Sequence, residues 1–362
     1  MYDNAWFGSM AEHMGMPRDS RFIPFPPPTV FLLAPIAWLS VLNALRLWTL
    51  INLALGVYSI RLLAELTHRD WRWCGTIVLL SGNAIINNFK FGQAYIALMA
   101  AVILFVFDLE RGKQNRSALW LGMGIALKYF PAVYIPLLML RKQWRVITGA
   151  GVVVLGLWLA GSVFLGWGTV IDFLTRVAAP HLQGDIVGQS NNAVQFQSWN
   201  SLFRRAFIYD PLTNPVPLLN APSAYALGLA AVYCVLAYSF SLGWKSLARH
   251  NRSGRFNQQF AYISVASFAI LPATATYHAL LLAPALVLHL APSERYSRFE
   301  LATLCFYSMI GFFPYIWTSS FAEGGWLLPL AFPRLWLISA MFVAMTLGFR
   351  TPSAQPPLQE AS

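Results

Sequence analysis

The chain has 362 residues, of which 57% are hydrophobic and only 11% charged, with a mean hydropathy of +0.54. Soluble domains carry about 25% charged residues, so an ordinary water-soluble enzyme is excluded. The formal net charge of +11 could suggest nucleic acid, but in so apolar a chain it reads first as loop topology.

Residues 1–20 are mixed polar, without the continuous apolar core of a signal peptide. The first apolar piece, "TVFLLAPIAWLSVL" at 29–42, is short for a span and suits a re-entrant or interfacial helix. Spans are predicted at 47–66, 73–87, 92–108, 117–140, 146–166, 223–244, 259–272, 275–291, 300–318 and 326–348. The expected frame is an all-α polytopic membrane protein. It divides into an outer-face loop with a juxtamembrane helix (1–46), core helices (47–166), a long outer-face loop (167–222), C-terminal transmembrane helices (223–348) and a disordered tail (349–362). The loop at 167–222 is too long for a plain connection and reads as functional. No internal repeat is visible. Cys74, Cys234 and Cys305 lie in or beside apolar helices at spacings that suit neither a zinc site nor a disulfide framework.

Basic residues cluster at 67–72, 110–116, 141–145, 245–255 and 292–299, with Arg350 in the tail. These positions hold 15 of the 25 Lys and Arg residues. The positive-inside rule places them all on the cytoplasmic side. Both ends of 117–140 then face one side, so this stretch must rise and return as two short helices broken at "KYFP". Pro131 suits a break, and Lys128 comes to the top of the hairpin near the outer face. The alternative is one straight span with 110–116 outside.

The segments sorted to the outer face are rich in groups that handle anions and sugars. Lys128, Lys90, Arg204 and Arg205 are cations, and His278 opens a span after a Pro-Ala-Thr turn. Asn87, Asn88, Gln93, Gln197 and Asn200 are amides that can bind hydroxyls, and Trp199, Tyr129 and Tyr277 offer flat faces. The mix suits a phosphate joined to a carbohydrate. Most of these have ordinary alternatives. Lys90 can snorkel, Arg204 and Arg205 can anchor an amphipathic helix at the headgroups, His278 can satisfy a helix end, and Gln93 can serve local backbone. Lys128 is hardest to explain structurally, because no acidic residue is near it in an apolar sequence.

The segment "FGQAYIALMAAVILF", followed by "LGMGIALKYFPAVYIPLLMLRKQWR", resembles glycosyltransferase family 87, a group of polyprenyl-phosphate-mannose-dependent mannosyltransferases. Gly92, Gln93, Gly122, Gly124, Lys128, Pro131, Trp144 and Arg145 occupy the family's motif positions. "FIPFPPPTVFLLAPIAWL", "QSWNSLFRRAF" and "ILPATATYHALLLAPAL" are similar to three further family segments, in the same order. The resemblance runs from about residue 22 to residue 290 and implies a GT-C-like transmembrane bundle. In that fold the piece at 29–42 is a juxtamembrane helix.

The resemblance implies transfer of a sugar, mannose, from a polyprenyl-phosphate donor to a glycolipid or glycan acceptor at the outer face. The anomeric carbon is inverted. Lys128, His278, Arg204 and Arg205 are then expected at the donor phosphate. Gln93, Asn87, Asn88, Gln197, Asn200, Tyr129 and Tyr277 are expected at sugar or acceptor. The fold also implies a first transmembrane helix followed by a catalytic aspartate. Asp3 is the nearest match and Asp19 a second, and otherwise the base lies upstream of Met1. No cofactor, metal cluster or nucleic-acid partner is implied; the partners are the lipid-linked donor, the acceptor and membrane lipids. The expected location is the bacterial inner membrane, with the site facing outward. Two rival readings are a transporter or flippase of lipid-linked sugars and an inactive, truncated relative.

Overall fold

The computed structural model describes residues 4–13, 25–185, 189–190, 192–249, 255–323 and 325–351. Regular structure among them is helical, apart from an isolated bridge between Asp210 and Asn214. Most of the tail expected at 349–362 lies outside the described residues, but its start, Phe349 and Arg350, is still helix.

Among the described residues, three single helices are long and apolar enough to cross a membrane: Val41–Thr67, Trp144–Leu165 and Pro222–Ala248. They carry mostly lipid-facing surface. Val152, Val163 and Leu227, for example, are exposed on them. The helix Tyr95–Glu110 is their opposite. It is buried on nearly all sides, as its uniformly apolar sequence requires, and it forms the centre of the bundle.

Several predicted spans are broken. The stretch 73–87 is two helices, Trp71–Leu79 and Asn83–Lys90. Gly82 joins them at φ +47°, and a Cβ there would stand 2.6 Å from the Gly311 carbonyl oxygen. Only glycine fits such a turn and such an approach. Asn83–Lys90 then meets Tyr95–Glu110 at a 118° bend. The predicted span 275–291 begins as a 3-10 helix, Thr276–Leu281, before the α-helix Leu282–Leu290. The predicted 300–318 ends as helix at Phe312, and 326–348 begins as helix only at Pro333. Between them run short 3-10 turns, because Pro314, Pro329 and Pro333 interrupt helical hydrogen bonding.

The stretch 117–140 is a hairpin. The helix Gln114–Leu127 stops where Lys128 turns extended (φ −154°, ψ 125°), and the chain resumes as Phe130–Tyr134 and Ile135–Leu140. Gln114–Leu127 runs parallel to Trp144–Leu165. A Cβ on Gly149 would meet Ala118, and one on Gly122 would meet Val153 and the Ala150 carbonyl. Side chains also join the two starts: Gln114 donates to Gln143 at 3.2 Å and Arg145 to Asn115 at 3.0 Å. Two parallel helices that begin side by side leave the intervening segment one course, which is to return. Small residues on both helices permit this close packing.

The same contacts gather the basic loops at one end. Arg111 pairs with Glu65, and Arg69 donates to the carbonyls of Ala291 and Ser293. Arg141 donates to Gln259. Local capping fits this arrangement. Asp70 accepts from the Arg72 amide, and Ser297 and Glu300 form a reciprocal capping box. The remaining segments, including 167–185 and the helix Trp199–Phe207, build the opposite end.

Candidate functional site

The opposite end holds two adjoining cavities. The narrower, about 110 Å³, is lined by Lys128, His278, His181, Tyr95 and Tyr129, with apolar walls that include Phe268. The wider, about 970 Å³, is lined by Lys90, Gln93, Asn87, Thr276, Tyr315 and Arg334, among others. Gln189, Phe196, Ala275 and Tyr277 belong to both walls. No carboxylate lines either cavity among the described residues.

Lys128 is carried here by the hairpin turn. Its Nζ stands 4.3 Å from the Phe25 ring centre and 5.8 Å from that of Tyr95. Aromatic faces stabilise an ammonium by about 0.5–2 kcal/mol, which holds the charge in place without neutralising it. His278 arrives from the 3-10 turn after Pro272. Its ring centre lies 4.8 Å from the same Tyr95 ring. The Ala275 backbone N–H donates to His278 Nδ1 at 3.2 Å. An N–H can only donate, so Nδ1 carries the lone pair and the ring proton sits on Nε2. A cation and a neutral N–H donor thus flank one aromatic ring in one cavity.

His181 contributes a second imidazole. Its ring stands edge-on to Tyr129 at 5.7 Å between centres. Burial, helped by the Lys128 charge, pushes its imidazole down to about 4, so it is neutral at physiological pH.

The expected residues divide. Lys128, His278, Tyr129, Tyr277, Gln93 and Asn87 line the cavities. Arg204 and Arg205 do not. Arg204 pairs with Asp185 at 2.8 Å, and Arg205 donates to the Ala322 and Asn192 carbonyls. Both arginines therefore tie the helix Trp199–Phe207 to neighbouring loops and line neither cavity. Asn88, Gln197 and Asn200 are also occupied structurally. The Tyr95 amide donates to Asn88, and Gln197 bridges the Val194 and Ala331 carbonyls and the Arg334 amide. Asn200 donates to the Gln183 carbonyl and accepts from Tyr225. Asp3 and Asp19 lie outside the described residues.

The family profile of glycosyltransferase family 87 matches residues 22–272. This chain belongs to that family. It is an integral membrane protein. A polyprenol-phosphate-mannose-dependent alpha-(1-2)-phosphatidylinositol mannoside mannosyltransferase of Mycobacterium tuberculosis (strain ATCC 25618 / H37Rv) is 30% identical over 138 residues. That alignment covers 33% of this chain and 32% of the relative, so it spans about a third of the relative's length. No solved structure matches.

In this family 87 chain the sequence reading missed Tyr95, His181 and Arg334. Tyr95 was hidden inside an apolar run. His181 sits in a loop with no local motif. Arg334 carried a usable signal, since it is an arginine inside the predicted span 326–348. An ionisable residue within a span points to function by default.

Proposed function

We propose that this protein is a glycosyltransferase that moves mannose from a polyprenyl-phosphate donor to a hydroxyl of a glycolipid or glycan acceptor at the outer face of the membrane, with inversion. The observation that carries the reading is the convergence of Lys128 and His278 on one narrow, aromatic-lined cavity. The partial likeness to a polyprenol-phosphate-mannose-dependent enzyme supports the choice of donor.

The acceptor oxygen attacks C1 of the sugar as the bond from C1 to the phosphate oxygen breaks. The lipid phosphate leaves as a dianion. It needs no general acid, but it needs positive charge and N–H donors placed where its charge grows. Lys128 supplies the charge and His278 Nε2–H supplies a donor. The acceptor proton goes to a carboxylate, and Asp3 is the residue proposed for it. The apolar walls of the narrow cavity suit the prenyl neck of the donor. Gln93 and Asn87 in the wide cavity suit hydroxyls of sugar or acceptor.

A transporter would need polar groups through the depth of the bundle. Here the cations and amides that line the two cavities lie at one end, which favours the enzyme. The test is transfer of radiolabelled mannose from a polyprenyl-phosphate donor by the purified protein in detergent. Transfer that is lost in Lys128→Met supports the reading. Unchanged turnover in that variant returns the lysine to a structural role.

A further inference from the structure

Arg334 has no part in the donor chemistry proposed above, yet its setting is costly. It is 3% exposed, at the start of a helix that otherwise packs in the apolar bundle. Nη1 donates to Thr276 Oγ1 at 2.7 Å and Nη2 to the Gln195 carbonyl at 2.8 Å. The guanidinium lies 5.4 Å from the Tyr315 ring centre. Nε has no hydrogen-bond partner, although Arg334 lines the wide cavity. Dipoles and an aromatic face thus hold this charge. No carboxylate pairs with it among the described residues. A buried cation without a counter-ion costs several kcal/mol, which a bound anion would offset.

A second buried group in the same wall is also unsatisfied. Gln93 is 1% exposed, and its Oε1 accepts no hydrogen bond. Exposed Lys90 and half-buried Asn87 border the same space. The buried Arg334 charge calls for an anion, and Asn87 in the same wall can bind a hydroxyl. A cavity of about 970 Å³ has room for a sugar-sized headgroup that carries both.

We infer that the cavity around Arg334 is a second anion site, which takes a phosphodiester or carboxylate attached to the sugar acceptor. The inference rests on the reading that Lys128 and His278 hold the donor phosphate. Neither residue lines the wide cavity, and neither Arg334 nor Lys90 lines the narrow one. The two cation sets therefore address different parts of the bound substrates, and they meet at Tyr277 and Phe196, where the sugar passes between them.

Binding is tested first, apart from transfer. The purified protein is melted with methyl α-mannoside, with its 6-(methyl phosphate) diester and with methyl α-mannuronate. The anionic probes should raise the melting temperature and the neutral one should not. The better of the two anionic probes identifies the group as phosphodiester or carboxylate. Arg334→Gln should abolish the anion-specific gain, Arg334→Lys should keep part of it, and Lys128→Met should leave it intact. Arg334 is buried and bonded, so Lys90→Gln serves as a variant at an exposed position. It should weaken the anionic probe about threefold. A gain lost in Lys128→Met but kept in Arg334→Gln would move the anion to the narrow cavity and overturn the inference. So would equal gains from neutral and anionic probes.

Transfer is then compared between neutral and anionic mannoside acceptors. The wild type should favour the anionic acceptor about tenfold in kcat/KM, and Arg334→Gln should lose that preference with the donor KM unchanged. Transfer without any such preference would remove the anion site and leave the donor reading standing. Arg334-dependent anion binding in a protein that transfers no mannose would keep the site and remove the donor reading.

Discussion

Lys128 brings a cation into a narrow cavity with aromatic and apolar walls, where its attraction for an entering dianion is stronger than it would be in water. Replacing it with Met keeps length and packing and removes only the charge. The expected result is a fall in kcat of about 10²–10³, with little change in melting temperature, as seen when one preorganised donor to a developing oxyanion is removed. His278→Gln should lower kcat as well, since Ala275 fixes the imidazole orientation through Nδ1 and a flexible amide will not reproduce it. His181 behaves differently, through linkage. Its imidazole is pushed down to about 4 by burial and Lys128, whereas in the unfolded chain it titrates near 6.5. Between those values the unfolded state holds the extra proton, so stability rises with pH. The contribution is fully present above about pH 6.5 and is lost as pH falls through about 4, by roughly 3 kcal/mol at most. Melting curves from pH 7 to pH 4 should therefore slope less steeply in His181→Gln than in the wild type.

At the scale of elements, the hairpin and the glycine contacts decide the architecture. Gly122 faces Ala150 and Val153 so closely that a Cβ would lie 2.6 Å from the Val153 Cβ. Gly122→Leu must push Gln114–Leu127 away from Trp144–Leu165 and displace the turn that carries Lys128. A loss of about 1–3 kcal/mol in stability is expected, together with loss of transfer; denaturant unfolding in detergent measures the first. The hairpin was legible in the sequence because two basic loops flanked one apolar stretch, and charge asymmetry is a rule about sides of a membrane. The broken helix at Gly82 was not legible. Its cause is Gly311, more than 200 residues away, and no local pattern announces so distant a contact. The helix start at Pro333 was blurred for a simpler reason. Apolar 3-10 turns such as Leu328–Ala331 have the composition of a span without its hydrogen bonding. The site was half legible on similar grounds. Lys128 stood out against an apolar background. The partners of Arg204 and Arg205, Asp185 and the Ala322 and Asn192 carbonyls, come from other segments and leave no local sequence signal.

The whole molecule is polar in its layout: basic loops gather at one end and both cavities open at the other. The contacts Glu65–Arg111, Arg69–Ala291 and Arg141–Gln259 join loops that are far apart in sequence, so the basic end is one surface. In a membrane that surface should face the cytoplasm, because translocating a cluster of Lys and Arg is disfavoured. Site-directed cysteines report on this directly. Lys113 and Lys142 are exposed at the basic end, and Lys90 and Ser320 are exposed at the cavity end. With Cys234 and Cys305 replaced by Ser, an impermeant maleimide added to intact cells should label cysteines at 90 and 320. Cysteines at 113 and 142 should react only after the membrane is opened. The pair 113 and 142 is the sharper test of the hairpin, because the two sites flank the returning segment. If one labels from outside and the other only from inside, Gln114–Leu140 crosses the membrane once and Lys128 lies in mid-bilayer, away from any outward-facing donor site.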